Sequence, residues 1–264
     1  MSSVFSALLT IVLVASATSL AAAPPLRVCA DPNNLPFSNR EGQGFENRIA
    51  TLVAAELHRP LVYLWAPQRR GFIRGTLETG RCDLIIGVPA GDGRLQTTRP
   101  YYRSSYVFVA RRDRALRIRS FDDARLRALR IGIQVIGDDY ANPPPAQALA
   151  ARHLAGNVRG YPVYGDYSNA APQREIVDAV TAGRVDVAVL WGPIAGYFAR
   201  REPVALDVDP IAAERDESGV RFAFDIAMGM RREDAHLRKT VDGVISRRSG
   251  AIRRILEQYG VPWQ

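Results

Sequence analysis

The apolar positions in the first part of the chain alternate between strand-like runs and stretches with helical spacing. A short apolar run at 26–30 ends at turn-forming residues, and apolar residues then recur at helical spacing from 45 to 57. Further apolar runs at 61–65 and 83–88 flank a predicted helix at 72–77. This strand–helix–strand–helix–strand order predicts a parallel sheet covered by helices on both faces.

A second unit of the same kind follows. Its pattern predicts strands at 131–135, 161–164 and 185–190 and helices at 146–154 and 175–182. Segments 79–87 and 181–189 share a pattern, in which a helix ends at glycine and is followed by arginine, a spacer, aspartate and an apolar strand. The repetition indicates two similar α/β lobes that face each other.

The last part of the chain returns to the first lobe. An apolar run at 224–230 is a predicted strand, and two amphipathic helices are predicted at 233–247 and 252–259. We therefore predict a discontinuous first lobe, formed by 24–108 and 223–264, and a second lobe at 109–222. Two strands would join the lobes as a hinge, with a ligand cleft between them.

The N-terminal segment resembles an export signal. The apolar run at 5–14 is shorter than the ~20 residues needed to span a bilayer, and alanine-rich sequence follows it up to Ala23. We predict a signal peptide at 1–23 that is removed on export, so that the mature protein is periplasmic and does not span the membrane. Residues 1–4 carry no lysine or arginine, which departs from the usual signal peptide and leaves an uncleaved anchor as the alternative.

The formal net charge is +8 and comes almost entirely from arginine. A positive charge indicates an acidic partner, an anionic membrane face or nucleic acid, and its alternative is an arginine-biased composition on solvated faces. Aromatic residues do not interleave with the arginine clusters as a nucleic-acid groove requires, and export argues the same way. We predict no nucleic-acid partner.

Two cysteines leave the question of a disulfide open. An oxidising compartment favours a bond between Cys29 and Cys82. Cys29 lies near the end of its predicted strand, however, and Cys82 lies just before a neighbouring one. This offset corresponds to about 10 Å, beyond the ~7 Å that a disulfide spans between Cα atoms, unless the register changes locally. Two cysteines and three scattered histidines give no metal-ligand spacing, and we predict neither a metal nor a cofactor.

Four motifs carry a resemblance to a known family. In chain order they are VCADPNNLPFSN at 28–39, PQRRGF at 67–72, TRPYYRS at 98–104 and WGPIAGYF at 191–198. They resemble the binding-protein homologues encoded beside quinoprotein methanol and alcohol dehydrogenases, within the family 3 extracellular solute-binding proteins. The resemblance implies the type II periplasmic binding protein fold. It also implies an accessory or maturation role for a dehydrogenase that uses pyrroloquinoline quinone.

The predicted cleft follows from the topology. In open parallel sheets, ligands bind beyond the carboxyl ends of the strands, usually between aromatic walls and a few polar groups. The predicted cleft residues are Asp31, Asn33, Phe37, Arg70, Val88, Pro89, Tyr102, Gln134, Trp191 and Gly192. Core packing is the alternative for the aromatic residues, a solvated pair with Arg69 for Arg70, and turn capping for Asp31.

The charges expected of an amino-acid receptor are incomplete. A buried zwitterion needs an arginine for its carboxylate and an acid for its ammonium group. The resemblance makes Arg94 the nearest match for the arginine, whereas Trp191 and Gly192 occupy the place of the acid. We expect that a ligand, if there is one, is not a typical amino acid.

Three functional classes remain, with different partners. The first is an accessory protein that binds a quinoprotein methanol or alcohol dehydrogenase. The alternative is the substrate-binding receptor of an ABC importer, which would bind a small organic ligand and a permease. The sequence contains no nucleophile elbow, metal-binding helix or phosphate loop, so that an enzyme, the third class, is not predicted and no catalytic residue is assigned.

Overall fold

The computed structural model describes residues 23–135, 143–162, 167, 169 and 171–262. The predicted signal peptide therefore lies outside the described residues, apart from Ala23. The end of the strand predicted at 161–164, residues 163–164, also lies outside them, as do residues 136–142. In the part of the chain that is described, no helix combines the length and the apolar character needed to cross a membrane.

The described chain forms six helices and twelve strands. The helices are α1 (Phe45–Glu56), α2 (Phe72–Gly75), α3 (Pro144–Ala151), α4 (Glu175–Thr181), α5 (Gly192–Ala199) and α6 (Ala235–Gln258). The strands of the first half are β1 (Leu26–Ala30), β2 (Asn33–Asn34), β3 (Ser38–Asn39), β4 (Leu61–Trp65), β5 (Leu84–Pro89) and β6 (Gln96–Thr97). The later strands are β7 (Tyr102–Arg111), β8 (Ile131–Val135), β9 (Val158–Pro162), β10 (Val187–Trp191), β11 (Leu206–Pro210) and β12 (Ala223–Met230).

Two parallel units are joined by two long strands. The main sheet has the order β4-β1-β5-β12-β7-β10-β8-β9, in which β4, β1 and β5 are parallel, as are β10, β8 and β9. We call these units the first and the second lobe. Strand β7 pairs with β12 through 102–105 and with β10 through 106–110, so β7 and β12 connect the lobes. The predicted two-lobed α/β fold with a two-strand hinge is confirmed, whereas the predicted boundaries at 108/109 and 222/223 stay predictions.

Both faces of the second-lobe sheet are buried. Val187 and Val189 of β10 belong to one apolar cluster with Phe108 of β7. Ala188 and Leu190 belong to another cluster, which packs on the opposite face. Because successive side chains of a strand point to opposite faces, a continuous apolar run is the pattern of a strand covered on both sides.

The structure corrects two local predictions. No helix was predicted directly after the strand at 185–190, but α5 begins at Gly192 directly after β10. Pro193 lies in the first turn of this helix, where the missing N–H breaks no intrahelical bond. The two predicted C-terminal helices meet in α6, which has non-helical backbone angles at Arg248.

Cys29 and Cys82 form a disulfide with 5.6 Å between their Cα atoms. The expected offset of about 10 Å was wrong because Cys82 is not extended. Arg81 and Asp83 form bends on either side of Cys82, and Asp83 N donates to the carbonyl of Arg27 (2.7 Å) just before β5 begins. These bends fold Cys82 over the face of the sheet, into a buried cluster with Cys29.

Candidate functional site

A cavity of about 180 Å³ lies between the lobes. It is lined by Asn34, Phe37, Glu46, Gln68, Gly87, Val88, Pro89, Tyr102, Trp191 and Ile226. The cavity opens where β5 ends at Pro89 and β10 ends at Trp191, so it lies at the carboxyl ends of parallel strands from both lobes. This is the position that the topology predicts for a ligand.

Other aromatic rings hold the aromatic walls in place. The ring of Phe37 is 5.3 Å from that of Phe45 of α1, and Tyr102 contacts the same Phe45 ring edge-on at 6.1 Å. Trp191 contacts Tyr106 at 5.3 Å in an edge-on arrangement. Aromatic pairs at these distances stabilise each other and fix the ring orientation. The walls of the cavity are therefore preorganised.

Asp31 organises the loop after β1. It is fully buried, and its Oδ1 accepts from the backbone N–H of Asn33 (2.8 Å). Its Oδ2 accepts from the N–H of Gln68 (2.7 Å) and from the hydroxyl of Tyr167 (3.2 Å). The predicted turn-capping contact is thus present in the structure, and the same carboxylate joins the loop to Gln68 and to the second lobe.

Three contacts connect the first lobe to the segment 167–173 of the second lobe. Besides the bond from Tyr167, the side chain of Asn33 donates to the carbonyl of Asn169 (2.6 Å), and the Nε2 of Gln173 donates to the Oδ1 of Asn34. Burial, and then the charge and hydrogen bond of Asp31, raise the pKa of Tyr167 to about 12, so its hydroxyl keeps the proton that it donates. These bonds hold the lobes together beside the cavity.

Glu46 contributes the acid of the cavity. It lies in the first turn of α1 and is 8% exposed, and no hydrogen bond or ion pair joins its carboxyl to any residue that the structure describes. A Cβ atom at position 87 would overlap its Oε1, so the carboxyl packs directly against the backbone of β5 at Gly87. Burial raises the pKa of Glu46 to about 8.

The charge of Glu46 also acts on Tyr101, which directly precedes β7, and on Tyr102, the first residue of β7. Burial, and then the charges of neighbouring groups that include Glu46, raise the pKa of Tyr101 and Tyr102 well above their ordinary range. The hydroxyl of Tyr101 donates to the carbonyl of Ile86 (3.1 Å). Both phenols are therefore neutral hydrogen-bonding groups near the cavity at any physiological pH.

A larger groove of about 800 Å³ adjoins the cavity and shares Gln68 and 87–89 with it. We call it the arginine groove, because its lining includes Arg69, Arg70, Arg74 and Arg94. Arg94 binds Asp92 in a bidentate pair, with Nε–Oδ1 3.1 Å and Nη2–Oδ2 2.7 Å. Arg94 therefore neither lines the cavity nor stands free for a ligand carboxylate within it.

Of the ten predicted cleft residues, five line the cavity and five lie elsewhere. The five that line it are Phe37, Val88, Pro89, Tyr102 and Trp191. Asp31 and Asn33 tie the lobes together, and Arg70 lies in the arginine groove. Gln134 accepts from the N–H of Trp191 (3.2 Å), and Gly192 lies so close to Ser105 that no Cβ would fit. That the cavity binds a ligand stays a prediction.

Sequence reasoning missed five lining residues: Asn34, Glu46, Gln68, Gly87 and Ile226. Asn34 and Gln68 lie within two of the four motifs, which was the available signal. Glu46 gave no signal, because an acid in the first turn of an amphipathic helix is usually a solvated residue that interacts with the helix dipole.

The fold, the hinge strands and the cavity between the lobes define a solute-binding protein. The chain belongs to the bacterial extracellular solute-binding proteins, family 3, and matches that family over residues 26–262. The predicted family and the type II periplasmic binding protein fold are thereby confirmed.

Within this family the chain is similar to a particular group of proteins. It is 33% identical to the protein MoxJ of Methylorubrum extorquens over 244 residues, which cover 90% of this chain and 81% of that one. Among solved structures it is similar to the periplasmic binding protein XoxJ from Methylobacterium extorquens AM1 (36% identity, TM-score 0.73, 90% of this chain and 99% of that one). It is also similar to MxaJ from Methlophaga aminisulfidivorans MPT (25% identity, TM-score 0.79, 90% of this chain and 100% of that one).

Proposed function

We propose that this protein is a periplasmic accessory or maturation factor that binds a quinoprotein methanol or alcohol dehydrogenase. The observation that carries the proposal is the similarity to MoxJ and XoxJ, which extends over 90% of the chain and includes 36% identity to XoxJ. The four motifs that resemble the homologues encoded beside such dehydrogenases support the same role. Family 3 is a solute-binding family, which fits a role without catalysis.

The arginine groove is the surface that we assign to the partner. Arg69, Arg70 and Arg74 are exposed, and no ion pair joins them to an acid among the described residues. Elsewhere on the described surface many arginines are paired with nearby carboxylates, as Arg94 is with Asp92. Unpaired positive charge beside a concave surface attracts an acidic protein and accelerates its docking.

Binding between the two purified proteins tests the proposal. A PQQ-dependent methanol dehydrogenase is immobilised, and association of the mature protein is followed by surface plasmon resonance at low and high salt. We expect a triple charge reversal, Arg69→Glu with Arg70→Glu and Arg74→Glu, to lower the association rate by about tenfold or more at low salt. High salt should slow the wild type in the same direction.

A matched triple reversal on the second lobe provides the control. Arg127, Arg159 and Arg184 are exposed, and no ion pair joins them to a described residue, so their reversal changes the net charge by the same amount. The proposal predicts near wild-type association for this control. Absence of any binding between the wild-type protein and the dehydrogenase would refute the accessory role, and equal losses in both variants would refute the assigned surface.

The cavity between the lobes favours a second candidate, the substrate-binding receptor of an ABC importer for a small organic molecule. A cleft between two lobes that are joined by hinge strands is suited to closing around a ligand. This role predicts that the protein stimulates an ABC permease reconstituted in liposomes and that it binds no dehydrogenase. Stimulation of ATP hydrolysis in that system distinguishes the two candidates.

A further inference from the structure

The described residues around Glu46 provide no partner for its carboxyl group. The backbone N–H of Glu46 donates to the carbonyl of Phe37 (2.9 Å), and that of Gly44 donates to the side chain of Asn47 (3.1 Å). The capping interactions of α1 are thus made by other groups. Burial of an unpaired acid is unfavourable, and such groups are normally paired or hydrogen-bonded. A buried acid that faces a cavity without a partner is therefore consistent with a partner that arrives from outside.

The cavity offers a positive group more than a carboxylate. Phe37, Tyr102 and Trp191 line the same space, and the negative faces of aromatic rings attract cations, especially alkylated ammonium groups. The remaining polar lining groups are the amides of Asn34 and Gln68, which are neutral. Among the lining residues that the structure describes there is no arginine, lysine or histidine, so an ionised Glu46 gives this lining a net negative charge.

The size and charge of the cavity narrow the class of ligand. A volume of 180 Å³ corresponds to about six water molecules, since each occupies ~30 Å³ in the liquid. A small ammonium compound fits this volume. The carboxylate of an amino acid would meet Glu46 without an arginine to pair with, because Asp92 holds Arg94 in the arginine groove.

We propose that the cavity binds a small organic ammonium ion, with the Glu46 carboxylate as its counter-ion and the rings of Phe37, Tyr102 and Trp191 as its walls. The proposal requires neither the dehydrogenase nor a permease as partner. The result of its test is therefore independent of whether the proposed function is correct. Among the described residues, Trp191 is the lining residue that the second lobe supplies, so ligand contacts with this ring would favour closure of the lobes.

Calorimetric titration with tetramethylammonium and methylammonium tests the proposal. We expect at least one of them to bind the wild-type protein at a single site, and tert-butanol, a neutral compound of similar shape to tetramethylammonium, to bind far more weakly. Glu46→Gln should lower the affinity for the cation by about 100-fold or more, because it removes one partner of a buried charge pair. Glu41→Gln removes an exposed acid from the loop before α1 and should leave the affinity unchanged.

Proton release distinguishes a counter-ion from a residue that only shapes the cavity. Below about pH 8, Glu46 is mostly protonated in the free protein, so binding of a cation should expel a proton. Titrations in buffers of different ionisation enthalpy measure this proton. The titratable groups whose charge interacts with Glu46 are Tyr63 of β4, Tyr101 just before β7 and Tyr102 of β7, and each has a raised pKa and stays protonated. Glu46→Gln should release none.

Three results would overturn the proposal. They are no binding of either ammonium ion up to millimolar concentration, equal binding of tert-butanol, or unchanged cation affinity in Glu46→Gln. If circular dichroism shows that Glu46→Gln is not folded, Trp191→Leu replaces it, because this change keeps the carboxylate and removes one ring. We then expect the affinity for tetramethylammonium to fall by about tenfold, and an unchanged affinity would contradict the aromatic wall.

Discussion

Replacement of Glu46 by glutamine should change how stability depends on pH. Burial raises the pKa of Glu46 from an ordinary value of 4.5 to about 8, so the folded protein holds a proton that the unfolded chain has already lost over this range. Because the carboxyl pKa is higher in the folded protein than in the unfolded chain, Glu46 stabilises the folded state most at a pH below its pKa in the unfolded chain. This contribution to the free energy of unfolding is lost as the pH rises to the pKa that Glu46 has in the folded protein. Glutamine has nearly the same shape and carries no charge at any pH.

The magnitude follows from linkage. Each pH unit between the two pKa values changes the free energy of unfolding by about 1.36 kcal/mol. Between about pH 5 and pH 8 the wild-type protein should therefore lose about 4 kcal/mol relative to Glu46→Gln. Above about pH 8 both states have lost the proton, and the difference between the two proteins should become constant.

Urea unfolding without ligand, followed by circular dichroism over this pH range, provides the assay. The difference between wild type and variant isolates Glu46, because all other titrating groups, including the three histidines, are common to both proteins. Glu41→Gln serves as the exposed control and should track the wild type at every pH. A difference between wild type and Glu46→Gln that does not change with pH would refute the reasoning, because it would mean that Glu46 titrates normally in the fold.

Three further predictions concern the disulfide, a close packing contact and a hydrogen bond between the lobes. Reduction of the bond between Cys29 and Cys82, which are 53 residues apart in sequence, should lower the free energy of unfolding by about 4 kcal/mol, as measured by urea unfolding with and without dithiothreitol. Gly196→Ala should destabilise the protein by about 1–3 kcal/mol in thermal denaturation, because the new Cβ would overlap a backbone carbonyl of the C-terminal segment; Gly156→Ala, where nothing lies within 4 Å, should be near neutral. Tyr167→Phe removes a hydrogen bond across the cleft, and small-angle scattering should then show a larger radius of gyration; an unchanged radius would mean that this bond does not hold the lobes together.

The sequence predicts the two-lobed fold because its strands have a strong local signal. Val187 to Leu190 form a continuous apolar run, and such a run can be buried only where both faces of a strand are covered. The position of the cavity can also be predicted from the sequence. Pro89 and Trp191 are the last residues of their strands, and ligands of parallel sheets bind at the carboxyl ends of the strands. The kink at Arg248 also agrees with the gap between the two predicted C-terminal helices.

Other features depend on tertiary contacts that leave no periodic pattern. Helix α5 is apolar on nearly all sides and buried, so its sequence has no polar face that would reveal the helical period. Strand β11 contains two aspartates and a proline, and it is identified by its pairing with β7 rather than by its composition. The disulfide depends on the bends on either side of Cys82, which an extended strand geometry does not anticipate.

The cavity and the arginine groove adjoin each other and carry opposite charges. The described lining of the cavity contains an acid and no base, whereas the arginine groove beside it contains three arginines without an ion pair to a described residue. The two surfaces share Gln68 and 87–89, so a partner bound in the groove would contact the wall of the cavity. If a cation in the cavity changes the affinity for that partner, the partner must change the affinity for the cation by the same factor. Because Glu46 lies on α1 and Arg74 on α2, Glu46→Gln and the arginine reversals perturb the two sites separately, and their combination would reveal whether binding of the ligand is coupled to binding of the partner.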